Sequence, residues 1–229
     1  MIPRHNGDFS ATIPDEASFW TPTDDDVTEE GIGFFRGTWL IYEIGEAEAE
    51  ALLSEDMKLV KLVDSVAQTP EEYDRICSII ENESGDSEIL ESLKTTGRYN
   101  LIEDHIPHED DPSPLDGLEI GVAGVVYALS AAGFLTAASC RGHTSSNSWS
   151  TGPVVFAATD RRHAELLAPI AARSGCGFAW DSSREDLLAI EAPSVSEMLS
   201  LANAVLMEVR SFGPPVYQMG DESRDMYGL

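Results

Sequence analysis

Five consecutive residues, Ser139-Cys140-Arg141-Gly142-His143, hold the densest chemistry in the sequence. An ionised thiol is a nucleophile, and an imidazole beside it can take or return the proton. A nearby guanidinium favours the thiolate. Cys140, His143 and Arg141 are therefore the candidate catalytic residues. The same five residues also suit a ligand pocket. Gly142 lets backbone come close, and Arg141 offers a two-pronged hydrogen bond to a carboxylate or phosphate. Ser139, Arg141, Gly142 and His143, with Trp149 from the following loop, are the candidate binding residues for a small anion. The structural alternative packs Cys140 under the loop, pairs Arg141 with an acid and uses Gly142 for the turn. In an exposed turn Arg141 and His143 are dispensable for folding, so Arg141→Ala and His143→Ala are expected to move the melting temperature little.

Metal chemistry has one other candidate segment, His105-Ile106-Pro107-His108-Glu109-Asp110-Asp111. Pro107 prevents the helical spacing that sets two histidines on one face, and zinc wants three or four ligands of fixed geometry. No second cysteine stands near Cys140. The expectation is no metal and no cofactor. Cys77 falls on the apolar face of a helix and reads as core. His163, early in another helix, reads as surface.

The elements that position the loop follow from the flanking sequence. Asp116 with Glu119 forms a capping box, and Val122, Val125, Val126 and Leu129 make one helical face. Gly133 suits the left-handed end of that helix. Phe134 to Ser139 reads as a short strand that delivers the loop, and residues 144–153 are turn-formers around Trp149. Val154–Thr159 is a strand. Asp160 starts a helix that Gly175 ends. Cys176–Asp181 and Leu187–Glu191 read as a hairpin, and Ser194 with Glu197 caps a last helix. The order after the first helix is ββα and then ββα. The expected fold class is α+β, with helices on one face of a ββαββα sheet.

The rest of the chain reads as support. Residues 1–32 form an irregular acidic arm anchored by Phe19-Trp20. Residues 33–96 are largely helical after a strand or hairpin at Gly33–Ile44. Glu46–Val66 is one helix, and Thr69-Pro70 starts another. A short helix falls around Ile89–Leu93. Residues 97–115 are a Pro-rich acidic linker, 116–210 the α+β domain, and 211–229 a tail with Tyr217 and Tyr227 as docking rings.

Charge excludes some functions. The 229 residues carry 14 Lys and Arg against 41 Asp and Glu, a formal net charge of −27. Such a field repels phosphate backbones, so no nucleic-acid partner is expected. Residues 1–30 lack the apolar core of a secretory signal, and no run approaches the ~18 apolar residues of a membrane span. Three cysteines without regular spacing fit a reducing, cytoplasmic setting. The function expected is a soluble acidic binding or interaction protein, with a small anionic ligand or a basic protein partner at Ser139–His143. The alternatives are an enzyme using Cys140, His143 and Arg141, such as a small-substrate transferase, and an acidic immunity or inhibitor protein. Oligomeric state stays open.

The segment GVAGVVYALSAAGF…ASCRGH…VVFAATD resembles a group of bacterial proteins of unassigned activity. They share an ALSALG-type helix, an SC-x-G loop, a following apolar strand and a late hairpin and helix. The resemblance spans residues 116–206. More distantly, the order helix, strand, S-C-x-G loop, strand is similar to the wybutosine-synthesis family, which are tRNA methyltransferases using S-adenosylmethionine. Ser139, Cys140 and Gly142 match that loop, and His143 stands where the family has arginine. The resemblance implies a fold and a site position only.

Overall fold

The structure is a computed structural model that describes residues 1–23, 26–28, 31–32, 44–81, 86–107, 114–144, 152–184 and 186–217. Two short antiparallel strands, β1 (Val27–Thr28) and β2 (Gly31–Ile32), precede the long N-terminal helix, α1 (Glu46–Val66). That helix buries Leu53, Val60, Val63 and Val66 along one face, with Asp56 among them. The next helix, α2 (Pro70–Ile80), begins as its sequence dictates. Pro70 fills the first turn, and the Thr69 side chain accepts from the Glu72 N–H. Tyr73, Ile76, Cys77 and Ile80 form its buried apolar face. A third helix, α3 (Ser87–Thr95), is capped by the Asp86 carboxylate.

The segment expected as a linker packs onto these helices. Its described part makes short 3-10 turns at Tyr99–Leu101 and Glu103–His105, with Ile102 and Leu115 buried. Arg98 donates to the Val66 carbonyl at 2.7 Å and to Glu72 at 2.8 Å, which ties it to the α1–α2 corner.

Helix α4 (Ala123–Ala131) starts later than the Asp116–Glu119 capping box implies. Asp116 instead sits in a turn with φ 53° and accepts from the Tyr127 hydroxyl. The acceptors for this helix start come from α1. Asp56 takes the Gly121 N–H at 2.6 Å and the Gly124 N–H at 2.8 Å. Small residues make that approach possible, because a Cβ on Gly124 would lie 2.6 Å from the Leu53 side chain.

Strands β3 (Leu135–Cys140) and β4 (Val154–Ala158), helix α5 (Arg161–Ser174), strands β5 (Gly177–Ala179) and β6 (Leu188–Glu191), and helix α6 (Val195–Met207) complete the ββαββα order. The sheet is antiparallel with strand order β3-β4-β6-β5. The fold is α+β, as the sequence pattern indicates. Alternation divides the sheet residues between two faces. Val155, Ala157, Leu188 and Ile190 join one core with α1, α2, α4, α5 and α6. Phe156, Ala158 and Ala189 point the other way, under Trp20 and Tyr217.

The N-terminal arm docks by more than its rings. The His5 N–H bonds the Pro193 carbonyl at 2.8 Å, and the Phe178 N–H bonds the Ser10 carbonyl at 2.8 Å. His163 is not a surface residue. It is 1% exposed, sits edge-on to Phe134 and stacks on Phe212 from the short helix α7 (Val209–Phe212). Asp160 both caps α5 and holds the His163 ring at 2.9 Å. Most of Gly33–Ile44 lies outside the described residues, as does Tyr227.

Candidate functional site

Strand β3 is an edge strand, and its last residue, Cys140, pairs with Val154 and stays half-buried. The Ser139 backbone lies one step back in the same ladder, opposite Val155. The chain then reverses at Gly142, with φ 76°. A Cβ there would meet the Gly152 backbone at 2.7 Å, so this position requires glycine. The reversal turns Arg141 inward against α2 and leaves His143 beside Cys140.

Arg141 is the inner half of the site. Its side chain is 2% exposed and bound on every edge. Nε donates to Asp74 at 3.1 Å, and one terminal nitrogen donates to both Glu81 oxygens at 2.6 and 2.7 Å. The other reaches the Ser78 hydroxyl at 3.1 Å. Its backbone N–H donates to Glu119 at 2.7 Å. Asp74, Ser78 and Glu81 are spaced i, i+4, i+7, one polar stripe of α2. Glu81 also accepts the Ile120 N–H at 2.5 Å, so one carboxylate ties the loop, α2 and the start of α4 together.

This corrects the sequence-based role of Arg141. Its guanidinium is committed to the protein's own carboxylates and offers no fork to a bound anion. It is not a dispensable residue of an exposed turn. Among the described residues of the loop, His143 is the cation that remains partly exposed. Trp149 lies outside the described residues, as do His108 to Asp111. His105 is exposed in its short turn.

The outer half is His143, Cys140 and Glu119. His143 Nδ1 lies 3.1 Å from Asp74 Oδ1, and Nε2 lies 3.5 Å from Glu119 Oε1. The Cys140 sulfur stands beside the same ring, and the Gly142 N–H approaches the sulfur at 3.4 Å. Potential ligand atoms of Glu119, Cys140 and His143 all lie within 4.8 Å of one another. All three side chains are partly exposed, and Thr144 closes the ring by donating its N–H to Asp74 at 3.3 Å.

Charge is balanced locally. The acceptors Asp74, Cys140 and Glu119 around the ring push His143 up to about 12, which favours the imidazolium while the site holds no metal. Burial opposes ionisation of Asp74 and Glu119, yet the His143 hydrogen bond and the Arg141 charge hold both below the usual carboxylate range. Burial pushes Glu81 up to about 7, against the pull of Arg141 and the Ile120 N–H. Burial also works against the Arg141 charge, but the acidic groups around it, Cys77, Glu81, Glu119 and Asp74, hold it well above its ordinary value.

The loop brings Cys140 and His143 together, which their spacing alone left open. Sequence reasoning missed Asp74, Glu81 and Glu119. The polar stripe of α2 was a usable signal, since three polar residues at helical spacing flank a strongly apolar face. Glu119 gave a misleading one, because its place after Asp116 mimics a capping box. No family model, curated protein or solved structure matches the chain.

Proposed function

We propose that this chain is a binding protein whose ligand is a divalent transition-metal ion, held by Glu119, Cys140 and His143. The observation that carries the reading is the convergence of one thiol, one imidazole and one carboxylate within 4.8 Å at a partly exposed position. A mixed S, N, O donor set suits zinc and its neighbours and not magnesium or calcium. Ligands at ~2.0–2.3 Å from zinc require only a small inward closure of these side chains. Asp74 supplies the outer support, because a carboxylate on Nδ1 fixes the ring and directs Nε2 toward the metal, which would displace the Nε2 proton and the Cys140 thiol proton to solvent on binding. Arg141 and Glu81 are the scaffold behind it. Three protein ligands leave a fourth position open for water or substrate, where a metal lowers the pKa of bound water and polarises carbonyl or phosphoryl oxygens. A small anion then meets the metal, and not Arg141.

The test is a cobalt(II) titration of metal-stripped protein, read by thiolate-to-cobalt charge-transfer absorption. One equivalent is expected to saturate the band, and zinc to displace it. Cys140→Ser is expected to abolish the band with unchanged circular dichroism, and His143→Ala to weaken binding by about 10–100-fold or more. No saturable band in the native protein, or a band that survives Cys140→Ser, overturns the proposal.

One observation favours a second reading. His143 stands beside the Cys140 sulfur and Asp74 orients its ring, the arrangement of nucleophile, imidazole and orienting group of a thiol enzyme, in which the imidazolium would give its proton to a leaving group. The two readings separate on alkylation of Cys140 by iodoacetamide. Protection by stoichiometric zinc supports the metal centre. Rapid modification that zinc leaves unchanged supports the nucleophile.

A further inference from the structure

A second cavity lies at the β5–β6 edge of the sheet, walled by the N-terminal arm. The arm is fixed at His5, which donates to the Pro193 carbonyl, and at Ser10, which accepts from the Phe178 N–H. Between these anchors residues 6–9 form one wall of the cavity. Phe9 packs tightly on the sheet, because a Cβ on Gly177 would clash with the Phe9 backbone. The open cavity holds about 630 Å³ beside Phe156 and Ala189, with Trp180 also in its lining. That volume is in the range of small-molecule sites, roughly 300–1,000 Å³.

The lining chemistry has one sign. Phe9, Phe156 and Trp180 contribute aromatic rings, and Asp8, Asp181 and Glu191 contribute carboxylates. No lysine or arginine lines it among the described residues. Neither Asp8 nor Glu191 has an ion-pair partner among the described residues, and Trp180 is 46% exposed at the mouth. Burial, with the charge of Asp181, pushes Glu191 above the usual carboxylate range, as expected of a carboxylate that lacks a counter-ion. His5 Nε2 is buried without a hydrogen-bond partner among the described residues. The same sheet face already holds one internal cation in this manner. The Arg184 guanidinium lies 4.5 Å from the centroid of the Phe156 ring and pairs with Asp181. Rings present negative faces to a cation, and flanking carboxylates add direct charge.

We propose that this cavity is a binding site for a small organic cation, a primary ammonium or guanidinium on an apolar body. The ammonium lies against Glu191, which has no ion-pair partner among the described residues, and the apolar body lies against Trp180 and Phe9. The site is independent of the Glu119–Cys140–His143 centre and does not need a metal.

The test is calorimetric titration of the full chain with 2-phenylethylamine, 2-phenylethanol and phenylacetate, probes of one shape and three charges. The amine is expected to bind at one site with a sub-millimolar Kd, and the alcohol and acid at least about tenfold more weakly. Glu191→Gln and Trp180→Ala are each expected to weaken the amine about tenfold, because the first removes charge and the second removes the exposed ring. Cys140→Ser is expected to leave amine binding unchanged, which separates this proposal from the metal centre. Equal binding of all three probes, no binding of the amine, or amine binding that survives both Glu191→Gln and Trp180→Ala overturns it.

Discussion

Arg141→Ala removes the guanidinium that Asp74, Glu81 and Glu119 share. Asp74 and Glu119 keep His143 as a cation partner, at 3.1 and 3.5 Å. Among the described residues Glu81 then keeps the Ile120 N–H alone, and its side chain is 4% exposed, far from bulk solvent. Removing one partner of a buried ion pair costs about 3–5 kcal/mol, because the other charge stays buried and uncompensated. A chain of this size loses ~2–4 °C of melting temperature per kcal/mol, so the expected fall is about 6–20 °C. Urea unfolding followed by circular dichroism measures it directly. The double variant Arg141→Met with Glu81→Gln removes the orphaned charge and fills the space, and is expected to recover more than half the loss. A loss below ~0.5 kcal/mol for Arg141→Ala, the range of an ordinary surface change, refutes the reasoning. So does a double variant no more stable than the single one.

Asp56 gives a pH signature. Burial raises its pKa to about 6, against the two backbone N–H bonds it accepts. An acid whose folded value lies above its unfolded value holds its proton more tightly when folded. Its stabilising contribution is full below about pH 4 and is lost as pH rises through about 6, a change of ~3 kcal/mol. The stability difference between the native protein and Asp56→Asn, measured from pH 4 to 7 by urea unfolding, should carry that slope, and a flat difference contradicts it. Gly142→Ala should cost about 1–3 kcal/mol and impair cobalt uptake, since φ 76° and the Gly152 backbone both exclude a Cβ. Uptake and stability both unchanged would show that the reversal tolerates a side chain. Native-state thiol labelling should modify half-buried Cys140 and spare buried Cys77 and Cys176 until unfolding, as read by mass spectrometry. With a net charge of −27, filter binding should detect no duplex DNA or tRNA complex at physiological salt, and micromolar affinity that falls steeply with salt would contradict this.

Local chemistry made much of the fold readable. The Thr69-Pro70 start, the Asp160 cap, the Gly175 stop and the full span Glu46–Val66 appear where residue type and spacing place them. Each depends on groups a few residues apart, so neighbours in sequence decide it. The ββαββα order was readable for the same reason. The start of α4 was not, because Asp56, its true capping acid, lies on another helix, and Asp116 with Glu119 offered a local pattern that the chain does not use. His163 was misread in the same way. Its position early in a helix says nothing about Phe134 and Phe212, which enclose it.

The sequence by itself indicated that a short strand, read as Phe134–Ser139, delivers the loop and that Gly142 turns it before His143; the strand in fact runs on to Cys140. An apolar run bounded by turn-formers and a turn glycine are properties of adjacent residues. It did not determine what Arg141 touches. Asp74 and Glu81 lie more than a whole helix and strand away along the chain, and any of the 41 acids was a formal candidate. Only the packing of α2 against the loop selected Asp74, Glu81 and Glu119, and that selection changed Arg141 from a ligand contact into a buried scaffold. Glu119 became the third donor beside Cys140 and His143 by the same packing. A buried charge must find its partner through space, and sequence order does not encode that distance.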